Sequence, residues 1–148
     1  MKRLHELIAT VFGLGYIPFA SGTFGSLAGL ALCLVLHGYL LAYVLAFIAL
    51  FIIGIISAGR VEAESGIKDP SVVVIDEFAC IFVAFLFVPL TPFYVITGFL
   101  LYRVLDIFKI SPIRSVEKLA GGWGIMLDDL VAALYTNLIL QIIISFSK

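Results

Sequence analysis

Charge is what this chain has least of: only 13% of its 148 residues are charged, nine basic against ten acidic. A soluble domain carries about 25% charged and about 45–50% apolar residues, and here the apolar share is 63%, so the composition points to an integral membrane protein. A net charge of −1 gives no basic excess to meet a phosphate backbone, which excludes a nucleic-acid partner. Cysteine is nearly absent as well. Cys33 and Cys80 both lie in apolar runs and read as small buried hydrophobes, not as a disulfide framework or a metal knuckle. His5 and His37 have no zinc spacing. No Gly-x-x-x-x-Gly-Lys-Ser/Thr loop is present, so no nucleotide partner is expected. The N-terminus lacks a continuous apolar stretch followed by a small-residue cleavage site, so no cleavable signal peptide is expected.

What is present is a series of apolar limbs with charge at their ends. Met1 to Phe12 is a short amphipathic start suited to a membrane surface. Gly13 to Ser26, with four glycines and a proline, cannot be a regular helix throughout. Within it Ser21-Gly22-Thr23 is placed to cap the helix that follows or to bind an anion through its exposed N–H groups. Leu27 to Gly59 would make a helix of roughly 50 Å at about 1.5 Å per residue, well beyond a hydrocarbon core of about 30 Å. It should break at His37-Gly38 into a short limb, Gly25 to Leu36, re-entrant or buried against other helices, and a full span, Tyr39 to Ser57. Arg60 to Asp69 reads as a polar loop or surface helix, and Asp69-Pro70 has the form of an N-cap followed by proline at the first helical position. Val72 to Ile75 could be extended, and it delivers Asp76-Glu77 to the next apolar segment. Phe78 to Val88 and Phe93 to Leu105, separated by Pro89 and Pro92, read as a helical hairpin that returns the chain to the face it left. A short polar helix restarts at Ser111-Pro112 and ends at Gly121-Gly122. Ile125 to Phe146 is a membrane-length helix that carries Asp128 and Asp129 in its first turn and no charge thereafter. That aspartate pair either caps the helix or forms one wall of a Mg²⁺ site.

Under this folding Lys2, Arg3, Arg60, Lys68, Arg103, Lys109, Arg114 and Lys118 share one face and only Lys148 lies on the other, which makes the first face cytoplasmic. Every carboxylate falls on that same face, as in an enzyme that works on lipid headgroups; a transporter needs polar groups near the midplane. Asp76-Glu77, Asp106 and Asp128-Asp129 then come to a common level, suited to Mg²⁺, with Arg103, Lys109 and Arg114 to neutralise phosphate oxygens. Arg103 and Asp106 could equally be a simple i, i+3 ion pair. Other phosphatase chemistries lack their residues: no Cys-x₅-Arg loop, no Asp-x-Asp pair, and little histidine. Metal-activated water is the economical choice.

Several segments resemble, in order and spacing, the phosphatidylglycerophosphatase A family. They are Tyr16-Ile17-Pro18 with Ser21 to Ser26, Asp76-Glu77-Phe78, Tyr102 to Lys109 with Ser111 to Arg114, and Gly121-Gly122-Trp123-Gly124-Ile125-Met126-Leu127-Asp128-Asp129. The likeness runs from about Gly13 to Tyr135. Departures are Ser21 where the family usually has proline, Cys80 where glycine is common, and Ala120 where histidine often precedes the two glycines.

The resemblance implies an all-α, polytopic membrane bundle, a single domain over residues 1–148, with short broken or re-entrant helices and an acidic site at the cytoplasmic face of the bacterial inner membrane. It implies a Mg²⁺-dependent hydrolase converting phosphatidylglycerophosphate to phosphatidylglycerol. By motif position, Asp76, Glu77, Asp106, Asp128 and Asp129 would be the metal and water-activating set, and Thr23, Arg103 and Lys109 would contact phosphate or hold the site together. The mechanism expected is in-line attack of water, with Asp129 or Asp76 as base and Asp106 and Lys109 beside them. Two rivals stand beside it: a phosphatase for another lipid phosphomonoester such as phosphatidic acid, and a non-enzymatic membrane protein with a structural cation site.

Overall fold

The computed structural model describes residues 2–108 and 119–147. Lys109, Arg114 and the short helix expected from Ser111 therefore lie outside the described residues. Among those described, six α-helices and no strand are found: α1 (Lys2–Ala9), α2 (Ser21–Leu36), α3 (Leu40–Ser65), α4 (Ile75–Ala84), α5 (Pro92–Phe108) and α6 (Gly122–Phe146), with a 3₁₀ turn at Leu14–Tyr16.

The centre of the bundle is the ten-residue helix α4. Ile75, Asp76, Ala79, Cys80, Ile81, Phe82 and Ala84 are all buried, so this helix is enclosed on nearly every side, by α2, α3 and α6. The close approach of α2 comes from glycine. A Cβ at Gly29 would run into the Phe78 carbonyl, one at Gly25 would press on Val74, and one at Gly22 would overlap the Glu77 carboxylate. These positions are spaced i, i+3, i+7 and make one face of α2. On the other side α3 and α6 cross at Gly59 and Gly122, where backbone meets backbone.

A helix that stops inside a bundle leaves carbonyls without intrahelical partners. Here side chains supply the donors. Tyr43 Oη donates to the Phe82 carbonyl at 2.6 Å, and Asn137 Nδ2 donates to the Ala84 and Leu86 carbonyls at 3.2 and 2.8 Å. Such internal satisfaction is what a hydrocarbon surrounding demands.

Two helices, α3 and α6, are long and apolar enough to cross a membrane; at about 1.5 Å per residue each exceeds the roughly 30 Å core. Their apolar stretches are mostly outside the bundle: Leu41, Leu45, Ile48, Ile52 and Ile56 form an exposed stripe on α3, and Leu134, Leu138 and Ile142 another on α6. Stripes of this size mark contact with an apolar environment.

Several expectations are corrected. α3 runs unbroken from Leu40 to Ser65, so the polar Arg60 to Ser65 stretch is its last turns and not a separate loop. No helix starts at Asp69-Pro70; Asp69 has φ +49, in the left-handed region, and α4 begins only at Ile75. The limb expected to Val88 ends as α4 at Ala84, because Phe87 takes φ +59 ahead of Pro89. α2 starts at Ser21 itself with Ala20 as an N-cap that offers no side-chain oxygen, so Ser21 and Thr23 do not cap it; the Ser21 hydroxyl instead donates to the Ser71 carbonyl at 3.0 Å. α6 begins three residues earlier than expected, at Gly122, which moves Asp128 and Asp129 into its second turn and removes the capping reading. The break at His37-Gly38 and the burial of both cysteines are as expected.

Gly29→Ala should lower the unfolding free energy of the detergent-solubilised protein by about 1–3 kcal/mol, because α2 must move off α4. Gly38→Ala, whose added Cβ meets nothing within 4 Å, should leave it unchanged. Thermal unfolding of the two variants side by side checks this; equal midpoints would contradict the packing.

Candidate active site

Four helix ends and one loop meet at a cavity of about 280 Å³ lined by Asp69, Asp76, Glu77, Asp106, Asp128 and Asp129, together with Ser21, Ser71, Val73 and Ile107. The first turn of α4 supplies Asp76 and Glu77. The last turn of α5 supplies Asp106, so the chain does return to the level it left, although α5 packs chiefly on α6 and touches α4 little. The second turn of α6 supplies Asp128 and Asp129. All four aspartates from helices are at most 9% exposed.

Partners account for part of this charge. Arg103 Nη1 lies 2.7 Å from Asp106 Oδ2 and 3.6 Å from Glu77 Oε1, and donates to Ser26 Oγ at 3.3 Å. The i, i+3 pair on α5 is therefore real and also reaches α4. Tyr102 Oη donates to Asp129 Oδ2 at 2.9 Å, and the Asp129 backbone N–H donates to Asp128 Oδ1 at 2.9 Å. Asp76 Oδ1 and Glu77 Oε2 are buried and have no partner.

Burying a carboxylate without a partner is costly, so these groups must hold protons or face a cation. Burial, reinforced by the neighbouring Glu77 and Asp129 charges, raises Asp76 well above the usual carboxylate range. Burial and the nearby Asp106 lift Glu77 to about 7, against the opposing pull of Arg103. Oxygen atoms of Asp76, Glu77 and Asp129 lie within 4.8 Å of one another. Hard, anionic oxygens converging with orphaned lone pairs are the donor set that suits Mg²⁺, so the residues fit that ion.

A family model described as phosphatidylglycerophosphatase A matches residues 7–144. The chain belongs to this family. It is 39% identical to the phosphatidylglycerophosphatase A of Haemophilus influenzae, with 90% of this chain and 85% of the relative covered. It is 32% identical to the Escherichia coli protein of the same name, over 97% and 85% of the two chains. A Bacteroides thetaiotaomicron protein provisionally named phosphatidylinositol-3-phosphatase is 37% identical over 96% of both chains. No solved structure matches.

In this chain the five carboxylates singled out in the sequence all line one cavity, but not as equals. Asp76, Glu77 and Asp129 form the tight group, while Asp106 is held by Arg103 and Asp128 by backbone. Arg103 reaches the site. Thr23 sits in the first turn of α2 and is not among the lining residues, and Lys109 and Arg114 lie outside the described residues. Sequence reasoning missed Tyr102, Asp69 and Ser71. Tyr102 had a signal, since it stands i, i+4 from Asp106 on one helix face; Asp69 and Ser71 had none beyond an Asp-Pro turn.

A carboxylate that keeps its proton in the folded state and loses it in the unfolded state makes stability fall as pH rises between the two pKa values. For Glu77 that window runs from its ordinary 4.5 to about 7. In EDTA, the thermal midpoint should therefore drop from pH 5 to pH 8, and Glu77→Gln should flatten the drop. A midpoint that rises over this interval would contradict the reading.

Proposed function

We propose that the protein is a Mg²⁺-dependent lipid phosphatase that hydrolyses phosphatidylglycerophosphate to phosphatidylglycerol and inorganic phosphate. The observation that carries this reading is the convergence of Asp76, Glu77 and Asp129, the first two each with an unpartnered buried oxygen, beside a cavity lined by further carboxylates. Family membership supplies the substrate class, and two of the relatives bear the corresponding name.

Asp76, Glu77 and Asp129 would hold the ion, with Asp106 and Asp128 beside it. A bound Mg²⁺ supplies charge neutralisation and polarisation of a phosphoryl oxygen. The chain's own residues do the rest. Tyr102 fixes the Asp129 carboxylate by its hydrogen bond. Asp76 or Asp129, through an oxygen turned away from the ion, would accept the proton of the attacking water. Arg103 locks Glu77 to Asp106 and so holds α4 and α5 in register across the site. Roles for Thr23, Lys109 and Arg114 at the substrate phosphate rest on motif position alone.

In this reading α3 and α6 cross the bacterial inner membrane in a multi-pass arrangement and the cavity opens to the cytoplasm. The support is the sidedness of basic residues, with Arg60 and Lys68 near the polar end of α3. That end is tied to the site end of α6: Glu62 Oε1 accepts from the Gly121 N–H at 3.2 Å. The acyl chains stay in the bilayer against the exposed stripes while the headgroup enters. A second reading is favoured by the Bacteroides relative's name: the same site would act on a phosphorylated inositol lipid.

Phosphate release by the purified protein from phosphatidylglycerophosphate, phosphatidylinositol 3-phosphate and phosphatidic acid, in Mg²⁺ and in excess EDTA, tests the proposal. Mg²⁺-dependent release, fastest from phosphatidylglycerophosphate, is expected. Asp76→Asn and Asp129→Asn should each lower kcat by at least about 100-fold with the fold retained. Preference for the inositol lipid would move the assignment to the second reading. Metal-independent release would remove the mechanism, and no release from a folded preparation would leave a non-enzymatic cation site.

A further inference from the structure

Beside the acidic cavity lies a second one of about 510 Å³, and the two share Ser21 and Ser71 in their walls. Their chemistry is opposite. Among the described residues the first is walled by six carboxylates, whereas the second has none and its charged wall is Arg103, accompanied by Tyr16 and by Ser21 and Gly22 where α2 begins. Arg103 thus stands between the two spaces. Its Nη1 is committed to Asp106 and Glu77, yet its Nε is buried and has no partner. A guanidinium held by carboxylates on one side and lining a cavity on the other is suited to take an oxyanion there. Gly22 is what permits the arrangement, since a Cβ there would overlap Glu77 and lie 3.1 Å from Arg103 Nη2.

We propose that this second cavity binds the phosphodiester of a lipid that carries two phosphates, the diester next to the glycerolipid and the monoester beyond a polyol bridge, with Arg103 as its reader. This rests on the proposed lipid-phosphatase function. In that arrangement the monoester occupies the acidic cavity, the polyol passes Ser21 and Ser71, and the diester meets Arg103 and the positive end of α2. Arg103 is then a specificity-determining residue: it distinguishes lipids with a diester from phosphatidic acid, which has none. Glycerol and inositol bridges are both compatible with the chemistry.

The diester can be tested apart from turnover. Binding of dihexanoyl phosphatidylglycerol, which has the diester and no monoester, is measured by calorimetry on the detergent-solubilised protein, with dihexanoyl phosphatidylinositol alongside and dihexanoylglycerol as the phosphate-free control. Saturable binding of one or both phospholipids, with the control silent, is expected, and Arg103→Lys should weaken it about 10-fold or more. The tighter of the two names the bridge. In turnover, the ratio of kcat/KM for the two-phosphate lipid to that for phosphatidic acid should fall in Arg103→Lys, whereas a purely structural Arg103 would lower both equally. No binding by the wild type, binding that Arg103→Lys leaves intact, or a wild-type ratio near one would overturn the inference. Should Arg103→Lys not fold, the wild-type binding and ratio decide. Diester binding without any phosphate release would sink the phosphatase assignment and leave this site standing.

Discussion

The structure depends on the burial of one short helix. α4 is ten residues long, it is enclosed by α2, α3 and α6, and it enters the bundle with two adjacent carboxylates. Once Asp76 and Glu77 are inside, charge must be answered there, because burial strips them of water and an unpaired carboxylate is expensive. Arg103 answers part of it, through Glu77 and Asp106. The remainder is left on Asp76, Glu77 and Asp129, where oxygens converge. A protein selected only for stability would replace such a cluster with apolar side chains, since buried ionic groups rarely repay their desolvation. Their retention is the physical argument for a cation and for chemistry performed with it.

The same constraint explains the framework. Burying α4 requires α2 to come close, which the face Gly22, Gly25, Gly29 allows. It also requires that the carbonyls at its inner end find donors, and Asn137 and Tyr43 are among the few polar side chains of α6 and α3 available for that. The outer surfaces of α3, before its polar last turns, and of α6 are then free to be largely apolar. Polar satisfaction is thus spent on the inside of the bundle and hydrophobic surface on the outside, as a membrane requires.

Much of this was legible in the sequence. Long apolar runs gave α3 and α6, the glycine-rich stretch gave an irregular segment before α2, and the His37-Gly38 turn fell where the length of Leu27 to Gly59 demanded a break. The five site carboxylates were found because charge at the end of an apolar run has few structural uses. What sequence could not give was depth. Asp128 and Asp129 read as caps when the helix is taken to start at Ile125, whereas Gly122 begins it, packing on Ile55 and Gly59. Ser21 and Thr23 read as caps for the same reason: local patterns favour caps, and tertiary packing overrode them. The division of the carboxylates into a converging trio and two held by Arg103 and backbone is three-dimensional, as is the separation of an acidic space from a basic one.

The measurement that bears most directly on the central claim is the binding of Mn²⁺, as a spectroscopic stand-in for Mg²⁺, to the purified protein followed by electron paramagnetic resonance at neutral pH. The account predicts saturable binding that Mg²⁺ displaces and that is lost in Asp129→Asn but retained in Glu64→Gln, which removes a carboxylate outside the cavity. Binding unchanged by Asp129→Asn in a folded protein would contradict the claim that the buried trio exists to hold a divalent cation.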